Sequence, residues 1–80
     1  MSLVELTEMI IKSLVSDPDS VSVKEFDEED GILIEVVVNE EEAGAIIGKS
    51  GKIANSIRTI VQASSNLKDR KKVKINITTL

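Results

Sequence analysis

Ala45-Ile46-Ile47-Gly48-Lys49-Ser50-Gly51-Lys52-Ile53 is the stretch on which the reading of this chain turns. Apolar residues lead into two glycines three positions apart, with Lys49 between them and Lys52 just after. Glycine at both ends lets the backbone turn tightly and lets another chain come within contact distance. Upstream, Asn39 is placed to cap a helix whose first turn holds Glu40, Glu41 and Glu42, where the helix dipole favours acid. That helix is expected over about residues 40–47. Downstream, Ile53, Ile57, Ile60, Val61 and Ser64 share a stripe, predicting a helix over about residues 52–65 that Ser64-Ser65-Asn66 loosens. The segment is thus a corner between two helices. The second helix aims unpaired N–H groups and its positive dipole end at whatever lies against that corner. A bare helix–turn–helix corner, with glycine as a terminator, is the competing reading.

Working outward, Ser2 and Glu5 have the spacing of a capping box, and Leu3, Leu6, Ile10, Ile11, Leu14 and Val15 recur at helical spacing. Pro18 ends that helix, because it disfavours helical geometry at the residue before it. Val21 and Val23 alternate with Ser22 and Lys24 as a strand. The acidic run from Asp27 to Asp30, followed by Gly31, reads as a turn. Ile32, Ile34, Val36 and Val38 then face the core of a central strand, with Leu33, Glu35 and Val37 turned the other way. Phe26 is out of phase with Val21 and Val23, which calls for a bulge or an edge contact. Residues 68–72 read as a basic loop, and Val73, Ile75 and Ile77 alternate with Lys74 and Asn76 as a third strand.

The order is α-β-β-α-α-β. The first two strands form an antiparallel hairpin, and about thirty intervening residues allow a right-handed crossover that sets the third parallel to the second. The expected class is α+β, a two-layer α/β sandwich with three helices on one face of a three-stranded mixed sheet. Residues 1–80 are expected to be one domain, although the opening Met-Ser-Leu carries no guarantee of being native.

Composition removes most kinds of chemistry. The chain has no cysteine and no histidine, so disulfides, thiolate nucleophiles, the usual zinc sites and the commonest general base are all missing. No cofactor and no metal is expected, and no catalytic residue is in sight. Phe26 is the one aromatic residue, too little for a base-stacking platform. The run from Ile32 to Val38 is broken by Glu35 and is far short of a membrane span, and the acidic N-terminus is unlike a secretory signal. A cytoplasmic location with no membrane partner is the expectation. Ile and Val supply 20 of the 33 hydrophobic residues, a mixture suited to a half-buried sheet.

The net charge of −4 is unevenly spread: residues 1–42 carry −11 and residues 43–80 carry +7. Salt screens surface charge over roughly 8 Å, so a polyanion responds to the local basic half and not to the total. Two decoys fall away. Gly44-Ala45-Ile46-Ile47-Gly48-Lys49-Ser50 is like a Walker A loop, but three residues separate its glycines where four are required, and a helix precedes it. Asp27 to Asp30 lacks the alternating ligand spacing of a calcium loop.

The run Ile47-Gly48-Lys49-Ser50-Gly51-Lys52-Ile53 resembles the Ile-Gly-x-x-Gly-x-x-Ile hallmark of KH domains, one residue short before the final isoleucine. The element order resembles the type II, or bacterial, KH arrangement over essentially the whole chain. Its length, its Asp-Pro helix ending and the run Gly51-Lys52-Ile53-Ala54-Asn55-Ser56-Ile57-Arg58-Thr59 are similar to small single-domain bacterial KH proteins. The resemblance implies a non-enzymatic protein that clamps single-stranded RNA through its GxxG loop, as an RNA chaperone or post-transcriptional regulator. It also implies a homodimer, or a heterodimer with a larger KH-containing protein.

On that basis Lys49, Ser50 and Lys52 are expected to meet phosphates, with Gly48 and Gly51 bracketing the loop. Ile46, Ile47, Ile53 and Ala54 are expected to offer an apolar floor to the bases, although helical spacing also suits them to the core. Arg58, seven residues after Gly51, is expected either to reach a base edge or phosphate or to be an exposed, solvated arginine. Lys68, Arg70, Lys71, Lys72 and Lys74 extend the basic track or keep an edge strand soluble. The competing function is a protein–protein adaptor on the same scaffold, with little RNA contact.

Overall fold

The computed structural model describes residues 2–48, 51–68 and 71–79, Lys68 by its backbone alone. Helix α1 (Leu3–Leu14) opens with both halves of the capping box. Ser2 Oγ accepts from the Glu5 N–H at 3.1 Å, and Glu5 Oε1 accepts from the Ser2 N–H at 3.0 Å. Its buried line is Leu3, Thr7 and Ile11, with Leu6, Ile10 and Val15 packed at the margin. Thr7 enters the core because its hydroxyl donates to the Leu3 carbonyl at 2.8 Å, leaving no unpaired polar atom. Leu14, expected on the apolar stripe, is exposed. Pro18 starts a single 3-10 turn (Pro18–Ser20).

Strands β1 (Ser22–Glu28) and β2 (Gly31–Val38) pair antiparallel, and β3 (Lys72–Thr79) runs parallel to β2, giving the order β1-β2-β3. The hairpin is tighter than expected: Asp27 and Glu28 belong to the strand, and Glu29 and Asp30 make the turn. No bulge interrupts β1, whose register is continuous from Ser22 opposite Val37 to Glu28 opposite Gly31. Phe26 instead sits on the helix-free face, across from Leu33, and is 46% exposed. Strict alternation explains its phase, since residues an odd number apart point to opposite faces. On the same face Glu28 pairs with Lys74 at 4.0 Å.

Helix α2 (Glu40–Ile47) has the bounds expected of it. Asn39 holds the N-cap position, but its side chain makes no capping bond; its carbonyl accepts from the N–H groups of Glu42 and Ala43. Glu42 has another task. Its carboxylate accepts the Ser16 N–H at 2.6 Å, tying the segment after α1 to the first turn of α2.

Helix α3 (Lys52–Lys68) runs three residues further than expected, through Ser65 and Asn66. The reason is tertiary. Ser65, buried, donates to the Lys71 carbonyl at 2.8 Å; Gln62 donates to the same carbonyl at 3.0 Å and accepts the Val73 N–H at 2.9 Å. These bonds fasten the end of α3 to the start of β3. Lys68 accordingly closes the helix and Lys72 opens the strand, while Arg70 of the expected basic loop lies outside the described residues.

The core draws on every regular helix and on the sheet's inner face: Ile11, Ile34, Val36, Val38, Ile46 and Val61 are fully buried, and Ile32, Ile57 and Ile75 nearly so. All four β2 residues expected to face inward do so. Of the stripe expected on α3, Ile57 and Val61 are buried in the core, whereas Ile53 and Ile60 are exposed. Ala54 and Ser65, outside that stripe, are buried as well.

Candidate nucleic-acid interface

The corner between α2 and α3 has the backbone the two glycines promised. Gly48 has φ 69° and ψ −176°, and its N–H donates to the Gly44 carbonyl at 2.9 Å, ending α2; Gly51 has φ 71°. A side chain at Gly48 would be strained in that conformation, and its Cβ would lie 2.7 Å from Ile53 Cγ1. Ile53 therefore folds back over the turn, where it is 37% exposed. Lys49 and Ser50, the expected phosphate contacts, lie outside the described residues.

The two helix starts differ electrically. Glu40, Glu41 and Glu42 occupy the first turn of α2, while the first turn of α3 holds no acid and carries Lys52, which is exposed. The positive end of the α3 dipole is thus left uncompensated by its own side chains, beside the glycine turn.

Further along α3, from Arg58 onward, a groove lies between the helix and the edge strand β3. Arg58, Thr59, Gln62, Ala63, Asn66 and Val73 line it. Arg58 reaches across, donating from Nη2 to the Ile75 carbonyl at 3.4 Å and from Nη1 to Asn55 Oδ1 at 3.2 Å. The lining mixes polar and apolar groups and, apart from Arg58, is uncharged. Thr59, Gln62 and Asn66 are absent from the sequence-based set of site residues. Their signal was present: Asn55, Thr59, Gln62 and Asn66 recur at steps of four, three and four, an uncharged polar stripe on one helix face.

Two residues of the expected apolar floor are corrected. Ile46 and Ala54 are both buried, so neither presents surface. Ile47, 43% exposed, and Ile53 do, one on each side of the turn. A further exposed line runs along α3, turned away from the core and meeting the groove at Ala63. Ile53, Ser56, Ile60, Ala63 and Leu67 are spaced three, four, three and four apart; Ile60 is 48% and Leu67 89% exposed. Among the described residues no group of three or more acids could hold a metal ion, and no helix is long and apolar enough to cross a membrane.

An α-β-β-α-α-β sandwich with a Gly-x-x-Gly corner between its second and third helices defines a KH domain of the second type. Solved structures carry the same fold. Aquifex aeolicus Era bound to GDP and AlF4− matches with a TM-score of 0.72 over 96% of this chain, at 22% identity. Era in complex with MgGDPNP and nucleotides 1506–1542 of 16S ribosomal RNA matches with a TM-score of 0.68, at 20% identity. In both, the matched part is 29% of the Era chain.

The family model "KhpA/KhpB, KH domain" matches residues 4–77. RNA-binding protein KhpA of Clostridium perfringens is 47% identical over 73 residues, covering 91% of this chain and 96% of its own. KhpA of Thermotoga maritima is 40% identical, covering 91% and 95%. The chain belongs to the KhpA/KhpB KH-domain family.

Proposed function

We propose that the protein binds single-stranded RNA, by contact and without catalysis. Roughly four unpaired nucleotides lie against the Gly48–Gly51 turn and along the groove between α3 and β3. The observation that carries this reading is the juxtaposition at the corner. Two glycines in left-handed conformation expose backbone at the acid-free start of α3, and a groove whose one charged lining residue is Arg58 lies further along the same helix. Lys49, Ser50 and Lys52 supply charge and a hydroxyl to phosphates, Ile47 and Ile53 supply apolar contact, and Arg58 exchanges its bond to the Ile75 carbonyl for a base edge or phosphate. The names of the curated KhpA relatives support the same ligand class. A cytoplasmic RNA chaperone or post-transcriptional regulator is the role this activity suits.

Three or four phosphate contacts give a logarithmic salt slope of about −2 to −3, at about −0.7 for each phosphate neutralised. Titrating a labelled unpaired oligonucleotide at several salt concentrations measures it. A folded protein whose fluorescence and NMR spectra ignore the oligonucleotide at low ionic strength would refute RNA binding.

Binding this shallow gains from joining two modules. The exposed line on α3 is the surface we assign to self-association. Its large and small residues alternate, Ile53, Ser56, Ile60, Ala63, Leu67, so two antiparallel copies centred on Ile60 would set Ile53 against Leu67, Ser56 beside Ala63, and Ile60 against itself. Ile60→Asp is expected to convert the assembly to monomer in sedimentation equilibrium while far-UV circular dichroism is unchanged; an unchanged mass would move the dimer surface elsewhere. The same stripe favours the adaptor reading, in which protein contact is the whole function. Loss of self-association together with intact RNA binding in that variant would count against it.

A further inference from the structure

The groove ends where β3 begins, and there the molecule changes sign. Lys71 and Lys72 share one cleft with Asp27, Glu28, Glu29 and Asp30, the acids at the tip of the β1–β2 hairpin. The sheet register fixes this neighbourhood, because Glu28 stands opposite Gly31 and Gly31 stands beside Lys72 in the parallel ladder. Gly31 has no side chain to keep the strands apart; a Cβ there would run into the Lys72 carbonyl oxygen. Glu28 also reaches over to Lys74. Lys74 is thus paired with acid, and Lys71 and Lys72 lie in one cleft with four carboxylates, whereas the first turn of α3, beside the glycine turn, holds no acid.

We propose that the acidic hairpin tip is an electrostatic stop: it competes with phosphates for Lys71 and Lys72 and confines a single strand to the half of the groove nearest the glycine turn. The proposal rests on the RNA-binding reading above. A strand that enters at the turn meets cations first and a wall of four carboxylates at the far end, so its later phosphates are repelled within a screening length. Length discrimination then arises without base contacts: four nucleotides bind nearly as well as ten.

The test compares a four-nucleotide and a ten-nucleotide oligouridine on the parent protein and on Glu29→Gln/Asp30→Asn. Both substituted residues are exposed in the turn, and the Glu28–Lys74 pair is left in place. The variant is expected to bind the longer strand about fivefold more tightly than the parent, with the shorter one unchanged. Its salt slope on the longer strand should steepen by about 0.7 for each phosphate gained. Equal gains on both lengths would make the tip a general repeller and overturn the stop. Identical behaviour of the two proteins on the longer strand, with the short one still bound, would overturn it while leaving RNA binding intact. Failure of both proteins to bind either strand would overturn both readings.

Discussion

Lys49→Asp/Ser50→Asp is expected to weaken binding of an unpaired oligonucleotide about a hundredfold in a low-salt anisotropy titration. The double substitution changes the charge of the turn by three units, and a unit charge about 4 Å from a phosphate is worth about 1 kcal/mol even at the dielectric constant of water. About 3 kcal/mol corresponds to that loss of affinity. The turn has positive φ at Gly48 and Gly51, and the core is made by residues on either side of it. Circular dichroism and sedimentation should therefore match the parent. Affinity close to that of the parent would remove the turn from the binding surface, and the groove along α3 would have to act alone.

Gly31→Ala is expected to lower the stability of the fold by about 3 kcal/mol, read from urea unfolding. The methyl group would meet the backbone carbonyl of Lys72, which cannot rotate aside as a side chain could, so the start of β3 must shift away from β2. A chain of 80 residues has a total stability of roughly 4–12 kcal/mol, which makes this a large fraction. Gly44→Ala is the natural control. Gly44 is exposed in α2 with open space where a Cβ would go, and alanine there should stabilise by about 1 kcal/mol. Equal midpoints for Gly31→Ala and the parent would mean that the two strands do not approach so closely at that position.

The parts of this fold that announce themselves in the sequence are those set by local rules. Ser2 and Glu5 specify a helix start through bonds three residues apart, and the alternation from Ile32 to Val38 selects one face of a strand whatever lies opposite. The end of α3 was not legible, because Ser65 and Gln62 are held by Lys71 and Val73, partners that only the crossover brings near. The facing of α3 was legible at Ile57 and Val61 and misread at Ile53 and Ile60, because hydropathy favours bulky isoleucine over the small Ala54 and Ser65 that are buried instead. At the site, the glycine corner and its position between helices were evident from the chain alone. The groove was not, since Thr59, Gln62 and Asn66 have no charge to mark them and are aligned with β3 only by the folded topology.

The central strand has neighbours of very different sequence distance. β1 joins β2 across a two-residue turn, whereas β3 arrives only after both intervening helices. During synthesis the hairpin can therefore close long before its second flank exists, leaving one rim of β2 open to unpaired amides and its apolar side, Ile32, Ile34, Val36 and Val38, without a full roof. In that interval the carboxylates of β1 and its tip give any two such hairpins like charge, which opposes edge-to-edge stacking of a segment this rich in isoleucine and valine until the last strand seals the sheet.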